Sequence, residues 1–166
     1  AYAPNPLSAL RAAGGLYGQK TGGGWYKYAD GKRVDPAVGA VPSVRPSSVW
    51  VWPSDSHLDL QAPLADLFKR SGVAVEAGAQ PSKEALIVIT PIGYDVTTAV
   101  SELKLDAGRT VAVDVLFGMK GPRTLMVTPA TRPEMRDTAH ALLASDGQAV
   151  VVINDSPGFV AQRAVA

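Results

Sequence analysis

The 166-residue chain contains no cysteine. That excludes disulfides, thiolate metal sites and a cysteine nucleophile, and it is compatible with a reducing cytoplasm, the expected location. An excess of one charge is missing too, since 16 basic and 15 acidic residues leave a net charge of +1. With no basic face, neither nucleic acid nor an anionic membrane is an expected partner. No apolar run reaches the ~18 residues of a membrane span. The opening "AYAPNPL" carries no secretory pattern. That opening and the apolar ending "GFVAQRAVA" both read as cut from something longer. Histidine is scarce: His57 and His140 are the only two, and neither has a second ligand or base at catalytic spacing. A surface or satisfied imidazole is expected for each, and no metal site.

At 46% hydrophobic and 19% charged residues, the composition is that of a globular chain, long enough for one domain plus an appendage. The most conspicuous stretch, "GGLYGQKTGGGWYKY" (residues 14–28), superficially suggests a phosphate-binding loop. Counting back from Lys20, Gly14 is in place, but Gln19 stands where that loop needs its second glycine. The context differs as well. "NPLSALRAA" before it reads as a short amphipathic helix closed by Gly14 and Gly15. The aromatic–polar alternation after it ends in the turn signal Asp30-Gly31. A helix, a glycine loop and an aromatic strand are therefore expected.

Residues 34–48, with three prolines and neither helical nor strand period, read as an extended linker. A regular alternation follows. Strands are expected at 48–52, 73–76, 85–90, 110–117, 123–128 and 149–153. Helices are expected at 60–72, after an Asp95 cap with Val96, Val100 and Leu103 on one side, and from about 131 to 144. The last of these carries a Thr131/Glu134 capping box around Pro133, with Gly147 ending it. Alternation of this kind predicts an α/β fold with a mostly parallel sheet. "ALIVIT" and "TVAVDV", nearly continuous apolar runs, should be its central strands.

Two stretches carry a resemblance to one family, the NAD-dependent 3-hydroxyacyl-CoA dehydrogenases. "AAGGLYGQKTGGGWYKYADG" (12–31) resembles the end of that family's helical C-terminal domain. "TPATRPEMRDTAHALLASDGQAVVVINDSPGFVAQR" (128–163) resembles the last helix and strand of its nucleotide-binding domain and the entry to a helical domain. Their order is similar to that of long family members, in which a reduced Rossmann-like domain lies between two helical domains. The resemblance implies a tail of a helical domain over 1–34, a linker over 35–47, a reduced Rossmann-like domain over 48–154 and the start of a second helical domain over 155–166. It implies that the parent enzyme oxidises 3-hydroxyacyl-CoA, such as 3-hydroxybutyryl-CoA, with NAD in fatty acid metabolism. The flanking helical domains are the implied partners, with a homodimer as a further expectation.

The family's functional positions are not kept. No glycine occurs from residue 49 to residue 71, so the first strand-to-helix turn, "WPSDSHLD", lacks the dinucleotide fingerprint. Pro53 removes a backbone N–H there, and Asp55 adds negative charge where a pyrophosphate would lie. Glu76 stands where the family's ribose-binding carboxylate is expected. The position of the catalytic histidine is Asp114, that of the following asparagine is Phe117, and "TPIGYD" replaces the serine motif. No catalytic, cofactor-binding or metal residue is therefore expected, and the segment should be a structural spacer without bound NAD. The alternative is a residual adenine- or CoA-binding module, favoured if Asp55, Glu76 and Thr90 line an open crevice.

The remaining candidates have plainer readings. Asp114 should cap a strand end or pair with Arg109 or Lys120. Trp50 and Trp52 share one side of a strand, as core or interface. Tyr94-Asp95 after Gly93 reads as an N-cap turn. Ser156 lacks a nucleophile elbow, and Pro157 suits the first turn of a helix. Stripped of flanking domains, Leu7, Leu10, Leu16, Trp25, Tyr26 and Tyr28, with Phe159 and Val160 at the other end, should leave apolar surface.

Overall fold

In a computed structural model of the chain, residues 5–35, 39–54 and 57–165 are described. Two compact units form, Ala1–Ala40 and Val41–Ala166. In the first, helix α1 (Pro6–Ala13) starts where the Asn5 side chain accepts the Leu7 N–H, with proline at its first position. The glycine loop then turns through a short 3₁₀ segment, Gln19–Thr21. Its own groups bond to one another: Gly18 N–H donates to Gly23 O, Thr21 N–H to Gly18 O, and Tyr17 N–H to the Thr21 side-chain hydroxyl. A loop closed on itself in this way is no phosphate cradle. A Cβ at Gly24 would lie 2.8 Å from the Gly18 backbone, so the crossing needs glycine. Strands β1 (Lys27–Ala29) and β2 (Lys32–Val34) pair antiparallel around Asp30 and Gly31. Both turn residues have positive φ (51° and 72°), the demand of a type I′ hairpin that Asp-Gly meets. Arg11 stacks over the Trp25 ring and Arg33 over Tyr26, while Leu7, Leu10, Leu16, Trp25 and Tyr26 are exposed.

The second unit is a six-stranded sheet with helices on both faces. Chain order runs β3 (Ser48–Val51), α2 (Leu58–Arg70), β4 (Ala74–Glu76), β5 (Leu86–Ile89), α3 (Val96–Leu103), β6 (Thr110–Val113), β7 (Arg123–Val127), α4 (Pro133–Leu143), β8 (Val150–Asn154) and α5 (Ala161–Val165). Spatial order is β4-β3-β5-β6-β7-β8, and only the β6–β7 pair is antiparallel. The expected α/β class with a mostly parallel sheet is thus present, and β5 and β6 are central and buried at every position. Leu64, Leu67 and Phe68 of α2 and Leu142 and Leu143 of α4 pack with Val88 and Val111 on one face. Val96 and Val100 of α3 pack with Trp50, Ile87 and Ala112 on the other.

Phe159 joins this second face and is fully buried. The expectation that it would be left for a separate helical domain is corrected; Val160 beside it is exposed. Phe159 adopts a left-handed φ of 51°, which costs roughly 1–3 kcal/mol for a non-glycine residue. Burial of its ring offsets that by a similar amount. Pro157 sits in the turn before α5 rather than in its first turn.

The capping box is likewise corrected. Arg132 is the N-cap of α4 and makes no side-chain cap, because the Thr131 hydroxyl donates to Thr110 O and accepts from Thr128 N–H. Glu134 pairs with Arg132 instead. Helix α4 ends at Leu143 with Ala144 as its cap, and Gly147 turns the chain toward β8.

One buried cation ties three segments together. Arg123, 5% exposed at the start of β7, forks onto Asp146 at 2.6 and 2.7 Å. It also donates to the carbonyls of Met119 and Leu143. Hydrogen bonding from Arg123 lowers the Asp146 pKa from 3.8 to about 2. The contribution is fully present above the unfolded pKa of 3.8 and is lost as pH falls through about 2. The Asp146 side chain is 40% exposed, so solvent screening reduces the ~2.5 kcal/mol that the full shift represents. Asp146→Asn is expected to lose about 1 kcal/mol at pH 7 in urea unfolding, with the two proteins converging near the acid limit. Deleting residues 1–34 is expected to leave a cooperatively melting α/β unit; loss of the melt would show that the leader belongs to the core.

Candidate functional site: the crevice at the strand ends

The chain passes from β3 through α2 to β4 on one side of β3, and then to β5 on its other side. The carboxyl ends of β3 and β5 therefore flank a topological switch point, where open α/β sheets bind ligands. A cavity of about 490 Å³ opens there. Trp52 and Ser54 follow β3 into it, Thr90 and Tyr94 follow β5, and His57 stands at the N-cap of α2.

The turn from β3 into α2 is held by side chains rather than by close backbone packing. Gln61, 4% exposed in the first half of α2, donates to Trp52 O (2.8 Å) and to the Thr90 hydroxyl (2.6 Å). Its carbonyl oxygen accepts the Ser54 N–H. His57 is satisfied: Nε2 donates to Thr90 O at 2.9 Å and Nδ1 meets the Ser54 hydroxyl at 3.0 Å. Because a carbonyl only accepts, Nε2 carries a proton. Gln61 was not anticipated, yet its place was visible: with Leu64 and Phe68 it lies on the buried stripe of α2.

The N-terminus of α3 is occupied as completely. Asp155 accepts Val96 N–H at 2.7 Å, Thr97 N–H at 3.0 Å and the Thr97 hydroxyl. Asp95 accepts Thr98 N–H, as the N-cap reading requires, and this backbone hydrogen bond lowers its pKa. Ala99 N–H goes to Asp95 O. The orphan N–H groups of Val96, Thr97 and Thr98 in the first turn are thus all used.

Of the two readings of Asp114, the strand-end cap holds and the pairing with Arg109 or Lys120 does not. Arg109 binds Asp106 at 2.8 Å, and Asp114 lies just past β6, accepting Leu116 N–H at 3.1 Å and the Gln162 amide at 3.0 Å. Gln162 in turn accepts Gly93 N–H at 2.9 Å. Glu76 is outside the crevice: Ser48 and Ser82 hydroxyls and Ser82 N–H donate to it, lowering its pKa, Ser48 first among the causes. Thr90 lines the crevice, and Asp55 lies outside the described residues. Trp50 is core and donates its indole N–H to Gly78 O at 2.7 Å; Trp52 meets it edge-on at the crevice wall. His140 is half-buried in α4, and Ser156 N–H points to the Met126 sulfur.

These residues do not fit a dinucleotide. The turn has no glycine, Gln61 fills the space beneath it, and the α3 N-terminus that could receive a phosphate holds Asp155. Among the described residues, no group of three or more histidines or acidic residues could hold a metal ion. No helix of the described chain is long and apolar enough to cross a membrane.

The fold and crevice define a reduced Rossmann-like α/β unit. No protein-family model matches the sequence, and no curated protein does. Solved structures share the fold. The 3-hydroxybutyryl-CoA dehydrogenase of Escherichia coli K12 matches over 98% of this chain at 18% identity and a TM-score of 0.55. FadB2 of M. tuberculosis matches over 74% of it, and 68% of its own length, at 14% identity and a TM-score of 0.50. The chain spans only 29% of the E. coli protein.

Gln61→Leu, close in volume, is expected to destabilise the protein by about 2 kcal/mol, because Ser54 N–H and Trp52 O lose their partner. Urea unfolding measures this; an unchanged midpoint would show that water replaces the amide.

Proposed function

We propose that this chain is the central segment of a longer NAD-dependent 3-hydroxyacyl-CoA dehydrogenase that oxidises 3-hydroxyacyl-CoA to 3-oxoacyl-CoA in the cytoplasm, as part of fatty acid metabolism. Within it, the α/β unit is a non-catalytic spacer between two helical domains, its partners, and NAD is bound elsewhere in the parent. The observation that carries the reading is the ordered pair of family-like stretches, 12–31 and 128–163, on either side of a strand–helix alternation. The fold shared with E. coli 3-hydroxybutyryl-CoA dehydrogenase over 98% of the chain supports it. The spacer role is supported by the side chains that fill the cofactor turn and by Asp114 bonded to Gln162.

Two measurements test this. Calorimetric titration of the chain with NAD is expected to give no dissociation constant tighter than about 100 μM, roughly 5.5 kcal/mol of binding. The full-length protein that contains the chain is expected to reduce NAD with 3-hydroxybutyryl-CoA, while the chain alone does not. A full-length protein inactive on every 3-hydroxyacyl-CoA would remove the parent assignment, and NAD reduction by the isolated chain would remove the spacer role.

A further inference from the structure

The crevice lacks the glycine turn and free helix N-terminus that a dinucleotide uses, yet it is a cavity of about 490 Å³, within the range of small-molecule sites. Its walls are mainly apolar, with Leu60 of α2, Ala99 and Leu103 of α3, and Pro91 and Ile92 between them. Trp52 is held edge-on against Trp50 at 5.5 Å, and Trp50 is anchored by its hydrogen bond to Gly78 O. A flat ring entering the crevice therefore meets a preorganised aromatic wall, which lowers the ordering cost of binding.

Charge narrows the ligand further. Among the described residues, no lysine or arginine lines the cavity. The backbone donors of α3, which would attract an anion, are taken by Asp95 and Asp155. The imidazole of His57 is engaged at both nitrogens. Two polar groups remain at the rim, the Tyr94 hydroxyl and the Glu102 carboxylate, both on exposed residues and without a hydrogen-bond partner among the described residues. Two aromatic side chains and a carboxylate, with no competing cation, are what an ammonium group binds.

We propose that this crevice is a binding site for an aromatic amine: a ring system of one or two fused rings carrying an amino or ammonium group, and no phosphate or carboxylate. The ring lies among Trp52, Leu60 and Leu103, and the amino group faces Glu102 and Tyr94. The site does not depend on the parent assignment and requires no chemistry of the ligand.

Three probes with one ring and three charges test it: tryptamine, indole and indole-3-acetate. Each is titrated into the full ¹⁵N-labelled chain, and the Trp52 indole N–H resonance is followed. The expected order of affinity is tryptamine, then indole about fivefold weaker, then indole-3-acetate weaker again by a similar factor, the size of a rim charge's effect. Glu102→Gln is expected to bring tryptamine and indole together, and Glu102→Lys to place indole-3-acetate first. Both changes are at an exposed helix position, so the melting temperature should stay with the wild type, and either variant alone decides the test if the other fails to fold. The proposal is overturned if no probe moves Trp52 at millimolar concentration. It is equally overturned if indole-3-acetate binds the wild type as well as tryptamine does, or if the order survives the loss of Glu102.

Discussion

Both faces of β5 and β6 are buried at every residue, and the rest of the α/β unit follows from covering them. Parallel strands of this kind expose no solvated face. Helices α2 and α4 cover one side with a contiguous aliphatic cluster. On the other side α3, only eight residues long, is the single α-helix among the elements of the core cluster, and Phe159 completes the layer. The segment after β8 is therefore part of the fold. Its hydrogen bonds agree with its packing: Asp155 caps α3, and Gln162 bridges Gly93 and Asp114.

The same covering explains what happened to the crevice. In a dinucleotide site, glycines let a helix start close to the strand end and leave its N–H groups to a phosphate. Here Gln61 stands between helix and strand, and its amide satisfies Ser54, Trp52 and Thr90 at once. At α3 a carboxylate of the chain itself occupies the anion position. Every buried side-chain nitrogen and oxygen among the described residues has a partner. The turns are stable without a ligand, and the space that remains open is apolar.

Much of this was legible in the sequence, and the exceptions share a cause. The central strands announced themselves as unbroken apolar runs, the Asp30-Gly31 hairpin by its turn dipeptide, and the α3 start by Asp95 before an apolar stripe. Each rests on neighbours within a few residues. Thr131 looked like a cap, but its hydroxyl serves Thr110 O, 21 residues away. Asp114 caps the end of β6 through Leu116 N–H as its position suggested, but its other partner is not a nearby cation: it is Gln162, 48 residues on. Phe159 after Pro-Gly looked like the opening of a new helix, and only the assembled sheet shows the hole that it fills. Gln61 is the intermediate case: its position on the α2 stripe was available, its three partners were not. Local periodicity reports which face of an element is buried; which distant group meets it there depends on topology.

The late position of Phe159 bears on how the unit comes into being. Its ring closes a layer built by Trp50, Ile87 and Val96, residues made 63 or more positions earlier. Until it has left the ribosome, the sheet keeps an uncovered apolar face, and contacts of such long sequence separation form slowly. The interval between synthesis of β6 and arrival of residue 159 is thus the time during which a nascent chain offers that face to other chains and to chaperones. A cofactor entering the crevice could not shorten it, because the missing piece is a later stretch of the same polypeptide.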